Sequence, residues 1–193
     1  MSEMPMINSE MMTLLGLLGL WLYSIFLVLP CWIIAYRTKE GGKWWNWVLP
    51  LWNLYAAFKL GRGPIRPTIV ILVLIAIVYL SFPFKESTYV FAFIAVVLFL
   101  SVLLSIYVFY VWLRNISIIA NVNPYFLPMV MLVIPFLLAC FVVVLTLQQV
   151  ITPVQAGFFE NVVSIATWVI FFIVAIRTPK KEATEAEFRF GKE

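Results

Sequence analysis

The sequence predicts an all-α integral membrane protein, with five transmembrane helices and a Trp-rich interfacial or re-entrant helix after the first. Three observations predict this class. Of 193 residues, 64% are hydrophobic and only 11% charged, with a mean hydropathy of +1.05. A soluble domain of this length would have to expose much of that apolar surface. Five runs approach the roughly 20 apolar residues that carry a helix through the hydrocarbon core. Finally, the cations fall almost entirely on one side when those runs are threaded alternately through a bilayer.

The spans follow in order. The opening "MSEMPMINSE" carries Glu3 and Glu10 ahead of the first apolar run. A cleavable signal peptide has a basic start, so 12–36 is expected to be a retained span. The second run is 67–84, the third 89–113, the fourth 125–147 and the fifth 158–176, the last trimmed by Glu160. The third holds 17 Leu, Ile, Val or Phe residues. At roughly −0.3 to −0.6 kcal/mol each near the centre of a span, they sum to roughly −5 to −10 kcal/mol. "NVNP" at 121–124 is a tight turn, so spans three and four should form an antiparallel hairpin, with Pro128 and Pro135 bending the fourth. Residues 1–177 thus form one transmembrane helical domain, followed by a charged cytoplasmic tail at 178–193.

Charge orients the chain. One side collects Arg37, Lys39, Lys43, Lys59, Arg62, Arg66, Arg114, Arg177, Lys180, Lys181, Arg189 and Lys192; only Lys85 falls on the other. Positive loops stay cytoplasmic, which places the N-terminus outside and the C-terminus inside, in the cell (inner or plasma) membrane. The +4 net charge is thereby explained without nucleic acid as a partner.

The stretch "KWWNWVLPLWNLYAAFKLGRG" at 43–63 packs four tryptophans between cations at both ends. Both ends therefore belong on one side, so 44–60 lies in the interface or dips in and returns. Tryptophan favours the headgroup level, and Pro50 permits a bend. As one helix, it would line up Lys43, Asn46, Pro50 and Asn53 on a polar stripe, with Trp45, Leu49, Trp52 and Phe58 facing elsewhere. Lys43, Trp45, Asn46, Pro50, Trp52, Asn53, Lys59, Arg62 and Arg66 are the candidate contacts for lipid or for a partner protein, since each basic group adds about 1 kcal/mol of attraction to an anionic leaflet. "EGGK" at 40–43 and "GRGP" at 61–64 read as flexible joints on either side. Gly16 and Gly19 in span one, and Ser101 and Ser105 in span three, are small residues suited to helix packing.

Residues for chemistry are sparse. The chain has no His and no Asp; all nine carboxylates are Glu. Intramembrane serine, aspartyl and metalloproteases, and lipid phosphotransferases, depend on those side chains. A Ser–Lys pairing would have to use Lys39, Lys43 or Lys59, none with a Ser nearby in sequence. Cys31 and Cys140 sit singly in apolar runs and read as buried, small hydrophobes rather than a disulfide or zinc pair. Met4, Met6, Met11 and Met12 read as an interfacial N-terminus rather than a copper site. Ionisable groups, which would mark a coupled transporter, are absent from the middle of the spans. A pore lined by Ser101, Ser105 and Thr146 competes with those hydroxyls bonding their own helix backbone. "NIS" at 115–117 matches a glycosylation acceptor but falls on the cytoplasmic side, where it is inert.

Residues Glu40, Gly41, Trp45, Trp47, Leu49, Pro50, Asn53, Tyr55, Phe58 and Lys59 form a pattern W…(I/L)P…N.Y…K behind a first span and a basic, Gly-containing loop. In this the chain resembles a family of uncharacterised prokaryotic multi-pass membrane proteins. The likeness covers roughly residues 33–66, about a sixth of the chain. Some members look fused to signal-peptidase domains, which this chain lacks, so nothing catalytic transfers. The resemblance implies a membrane protein of unknown role.

Apolar surface without chemistry, together with a basic Trp-rich ledge, leads to the expected function: a non-catalytic membrane subunit, accessory or scaffold to a larger complex. Its partners would be membrane lipids and other membrane protein subunits, with no catalytic residues, cofactor or metal. A small transporter or oligomeric channel is the alternative, and a lipid-modifying enzyme the third.

Overall fold

A computed structural model describes residues 9–40, 43–84 and 88–180, and among them every regular element is helical. They are α1 (Ser9–Thr38), a 3-10 turn (Trp44–Trp47), α2 (Trp52–Leu60), α3 (Ile65–Ser81), a second 3-10 turn (Phe82–Phe84), α4 (Thr88–Ile119), α5 (Phe126–Pro128), a π-helical turn (Met129–Val133), α6 (Ile134–Leu147) and α7 (Pro153–Arg177). From α5 to α6 the chain is one continuous rod, Phe126–Leu147.

Four helices are long and apolar enough to cross a membrane: α1 from Met11, α4, the Phe126–Leu147 rod and α7. The expected second span is shorter. It is the 17-residue α3, started by Pro64 as its N-cap, followed by the 3-10 turn containing Pro83. A proline cannot donate the next helical hydrogen bond, so the α-helix stops before "FPF". By contrast α4 continues six residues past the expected 113 to Ile119, with Arg114 on an exposed face. Helix α7 starts five residues early, at Pro153, because Thr152 and Gln155 form a reciprocal capping box; the Gln155 side chain accepts from the Thr152 amide at 2.8 Å.

Contacts fix the directions of the helices. Phe26 stacks on Trp168 with centroids 4.0 Å apart, and the Arg37 guanidinium donates to the Thr178 carbonyl at 2.9 Å, so α1 and α7 run parallel. Trp112 of α4 meets Phe171 of α7 edge-on at 6.4 Å. Helix α3 lies along α4, with Ile77 and Leu80 across a groove from Tyr89 and Phe93, and so runs antiparallel to it. The α4–α5 connection closes on itself. Asn121 takes φ +57°, Val122 N–H donates to Ser117 O and Asn121 N–H to Ile118 O, a left-handed helix stop followed at once by α5.

Among the prolines within helices, Pro30, Pro128 and Pro135 fall in or beside the long rods. Pro30 leaves the Phe26 carbonyl without its helical donor, and the Trp168 indole N–H supplies one at 3.2 Å. Pro128 and Pro135 flank the π-helical turn, which absorbs the missing donors as a widened turn. The core gathers at one end, around Ile34, Ala35, Trp47, Leu113, Ile116, Leu127 and Ala175. Cys31 is part of it, whereas Cys140, expected to be buried, faces outward from α6 because no described helix covers that side of the rod.

Candidate functional site: the Trp-rich hairpin

The segment 43–62 does not form the single amphipathic helix that its sequence suggests. It is a hairpin of a 3-10 turn and α2, joined through Val48–Leu51, laid back along α1. Pro50 stands exposed beside the tip, and Leu51 takes φ +68° and ψ −45°. A bulky residue in that region costs about 1–3 kcal/mol and persists only where its surroundings over-determine it. Both flanks do so. The Trp21 indole N–H donates to Val48 O at 2.8 Å, and the Asn53 side-chain amide donates to Ser24 Oγ at 2.9 Å. Ser24 in turn donates to Trp21 O at 2.8 Å, so hairpin and helix are joined in a closed circuit. Ser24 lies 14 residues before Thr38, about 21 Å along the α1 axis at 1.5 Å per residue.

The predicted polar stripe is therefore divided. Asn53 has no exposure at all, and its Oδ1 accepts the Leu54 N–H at 2.7 Å, satisfying one free amide at the start of α2. Lys43 and Pro50 are exposed, and Asn46 is half-buried. The physical reason is the break at 48–51: once helical continuity ends there, residues 43–46 and 53 no longer share a wheel. Trp45 is exposed, and its carbonyl accepts both Val48 and Leu49 N–H. Trp52 is exposed and touches Tyr55 edge-on at 5.9 Å.

At its other end α2 is tied to α4. The Trp112 indole donates to Ala57 O at 2.8 Å, and the Asn115 amide donates to Gly61 O at 2.9 Å. "GRGP" is not a flexible joint but a locked stop: Arg62 takes φ +47°, Gly63 N–H donates to Phe58 O and Arg62 N–H to Lys59 O. A Cβ on Gly61 would overlap the Trp112 indole, and one on Gly63 would overlap the Phe58 ring. "NIS" is engaged internally, since Asn115 holds Gly61 and buried Ser117 donates to Leu113 O. "EGGK" falls partly on Gly41 and Gly42, outside the described residues, as do Met4, Met6, Lys85 and the tail from 181.

Between the two arms of the hairpin lies a cleft of about 330 Å³. Lys59, Arg62 and Glu40 line it together with Asn46, and Trp47, Trp52 and Tyr55 supply aromatic wall. The structure thus brings together Asn46, Trp52, Lys59 and Arg62 of the predicted contacts. Lys43, Trp45, Pro50 and Asn53 do not line the cleft, and Arg66 lies beyond it, exposed in the first turn of α3. No Ser or Thr lines the cleft beside Lys59. Among the described residues no three His, Cys, Asp or Glu side chains gather as a metal site. A separate apolar cavity of about 220 Å³ lies between α1, α2, α4 and α7, beside Cys31 and Trp168.

Of the predicted packing residues, Gly16 and Gly19 are exposed, with no atom within 4 Å of where a Cβ would stand. Among the described residues no other helix packs against them. Ser101 is buried, and its hydroxyl donates to Val97 O at 2.8 Å; Ser105 is exposed and donates to Ser101 O at 2.7 Å. The sequence reading missed Trp21, Ser24, Trp112 and Asn115. Ser24 and Asn115 carried a signal, as isolated polar residues in long apolar runs that must find a partner when buried. No family profile, curated protein or solved structure matched this chain in the comparisons made.

Proposed function

We propose that the chain is a five-span cell-membrane protein, N-terminus outside and C-terminus cytoplasmic, acting as a non-catalytic accessory or scaffold subunit of a larger membrane assembly. Parallel α1 and α7 fit an odd number of crossings, with α3 as the shorter second one. Its 17 residues rise about 25 Å, and the 3-10 turn adds about 6 Å, against a hydrocarbon core of about 30 Å. The hairpin then dips into the bilayer from the cytoplasmic side, its polar groups answered by α1 and α4 as membrane depth requires.

The subunit reading rests on one observation. The N-terminal part of α1, residues 11–20, is exposed along its whole length, and at Gly16 and Gly19 it offers bare backbone. Helices associate in lipid through close backbone approach at such positions. A photo-crosslinker at Leu17 should give a discrete adduct with a second membrane protein after mild extraction. A chain that stays monomeric on sizing, with no adduct, sinks the subunit reading. The channel reading loses support because the Ser101 and Ser105 hydroxyls are engaged with their own helix.

A further inference from the structure

We infer that the cleft of the Trp-rich hairpin is a binding site for one membrane lipid whose headgroup carries a phosphate together with a hydrogen-bond donor. This deepens the membrane reading above and requires no protein partner. Among the described residues, the basic end of the bundle carries Arg37, Lys39, Lys43, Lys59, Arg62, Arg66, Arg114, Arg177 and Lys180, but a single carboxylate, Glu40. That excess of cations over described carboxylates makes this end attractive to anionic groups. In the cleft two of these cations, Lys59 and Arg62, meet Glu40, the Asn46 amide and aromatic wall.

The order along α2 gives the site a direction. Trp52 opens the helix next to Asn53, which is held at the level of Ser24, and Lys59 follows seven residues later, about 10 Å towards the basic end. A ligand there meets cations at the rim and indole at the floor, which is the polarity of a phospholipid entering sideways. The side chains of Trp52, Tyr55, Lys59 and Arg62 are all exposed, so the cleft opens outward from the bundle rather than into its core. Lys59 and Arg62 would hold the phosphate through charge-assisted hydrogen bonds. Glu40 would repel a bare anion but accepts from an ammonium or hydroxyl, selecting ethanolamine or glycerol headgroups over choline, whose quaternary nitrogen has no N–H. At 330 Å³ the cleft is at the small end for a ligand site, suited to a headgroup and the first part of a chain.

The test is native mass spectrometry of the delipidated full chain in detergent. It is titrated with phosphatidylethanolamine, phosphatidylglycerol and phosphatidylcholine of identical acyl chains, and with inorganic phosphate as competitor. The first two lipids should bind about tenfold more tightly than the third, and K59Q/R62Q should lose about a hundredfold, roughly tenfold for each of two charge-assisted bonds. R114Q, on α4 away from the cleft, should bind as the parent does, and E40Q should narrow the headgroup preference below about threefold. Both K59Q/R62Q and R114Q alter exposed side chains, and unchanged melting temperatures would verify their folds. Equal retention of all three lipids, or an equal loss in R114Q, overturns the site. Displacement of lipid by inorganic phosphate at matched concentration overturns the amphiphile and leaves a soluble phosphate ligand. A chain that selects these lipids yet gives no Leu17 adduct and sizes as a monomer after mild extraction would refute the subunit reading alone.

Discussion

From the level of Trp21 to its basic end the bundle is stitched together: Trp21 to Val48, Asn53 to Ser24, Trp112 to Ala57, Asn115 to Gly61, Arg37 to Thr178 and Trp168 to Phe26. The other half of α1, residues 11–20, is as apolar but lies exposed throughout. Each region takes in one half of α1, so hydrophobicity does not distinguish them. What does is the supply of polar side chains that can reach a neighbour's backbone. In a bilayer apolar contact gives little net attraction between helices, so packing fit and hydrogen bonds decide which surfaces close within the chain. On the proposed reading the open half faces lipid or another protein.

The contrast can be broken most forcefully at glycine. Gly61→Val places a side chain against Trp112 and Ile116 and should lower stability by about 3 kcal/mol, through overpacking and loss of the α2–α4 bonds. Thermal unfolding in detergent would read this as a clear drop in midpoint, and an unchanged midpoint would remove the lock from the account. Next comes Asn53→Leu, which removes the link to Ser24 and should cost about 1–2 kcal/mol. Thiol-reagent labelling of a cysteine introduced at Leu49 should rise as the hairpin loosens. Smallest for the chain itself are Gly16→Leu and Gly19→Leu, which should leave the midpoint within about 1 kcal/mol of the parent or slightly above it, leucine being the better helix former. If either variant destabilised the isolated chain as Gly61→Val does, the two halves of α1 would not differ in the way argued.

Much of the helical framework was legible. Long apolar runs at 12–36, 89–113, 125–147 and 158–176 each contain too little polarity to be anything but helix in lipid, and four helices of spanning length lie there. The ends were less legible, because the Thr152–Gln155 capping box and the Asn121 helix stop are local polar details that hydropathy ignores. Within the hairpin, the residue types at 43–62 marked an unusual element, but the wheel misplaced them. Asn46 and Asn53 look equivalent in sequence, yet one is half-buried in the cleft and the other is sealed against α1, because the chain leaves helical geometry at Leu51.

The sequence by itself determined that this is an apolar helical chain with its cations confined to the segments between and after the apolar runs, since hydropathy and charge act on each segment separately through its solvent. Only the tertiary structure decided that the Trp-rich segment folds back along α1, that Gly61 and Gly63 are contacts rather than joints, and that Glu40, Lys59 and Arg62 share a cleft with Trp52. Those outcomes depend on partners distant along the chain, such as Ser24 for Asn53 and Trp112 for Ala57, and no local pattern records which buried donor will find which carbonyl.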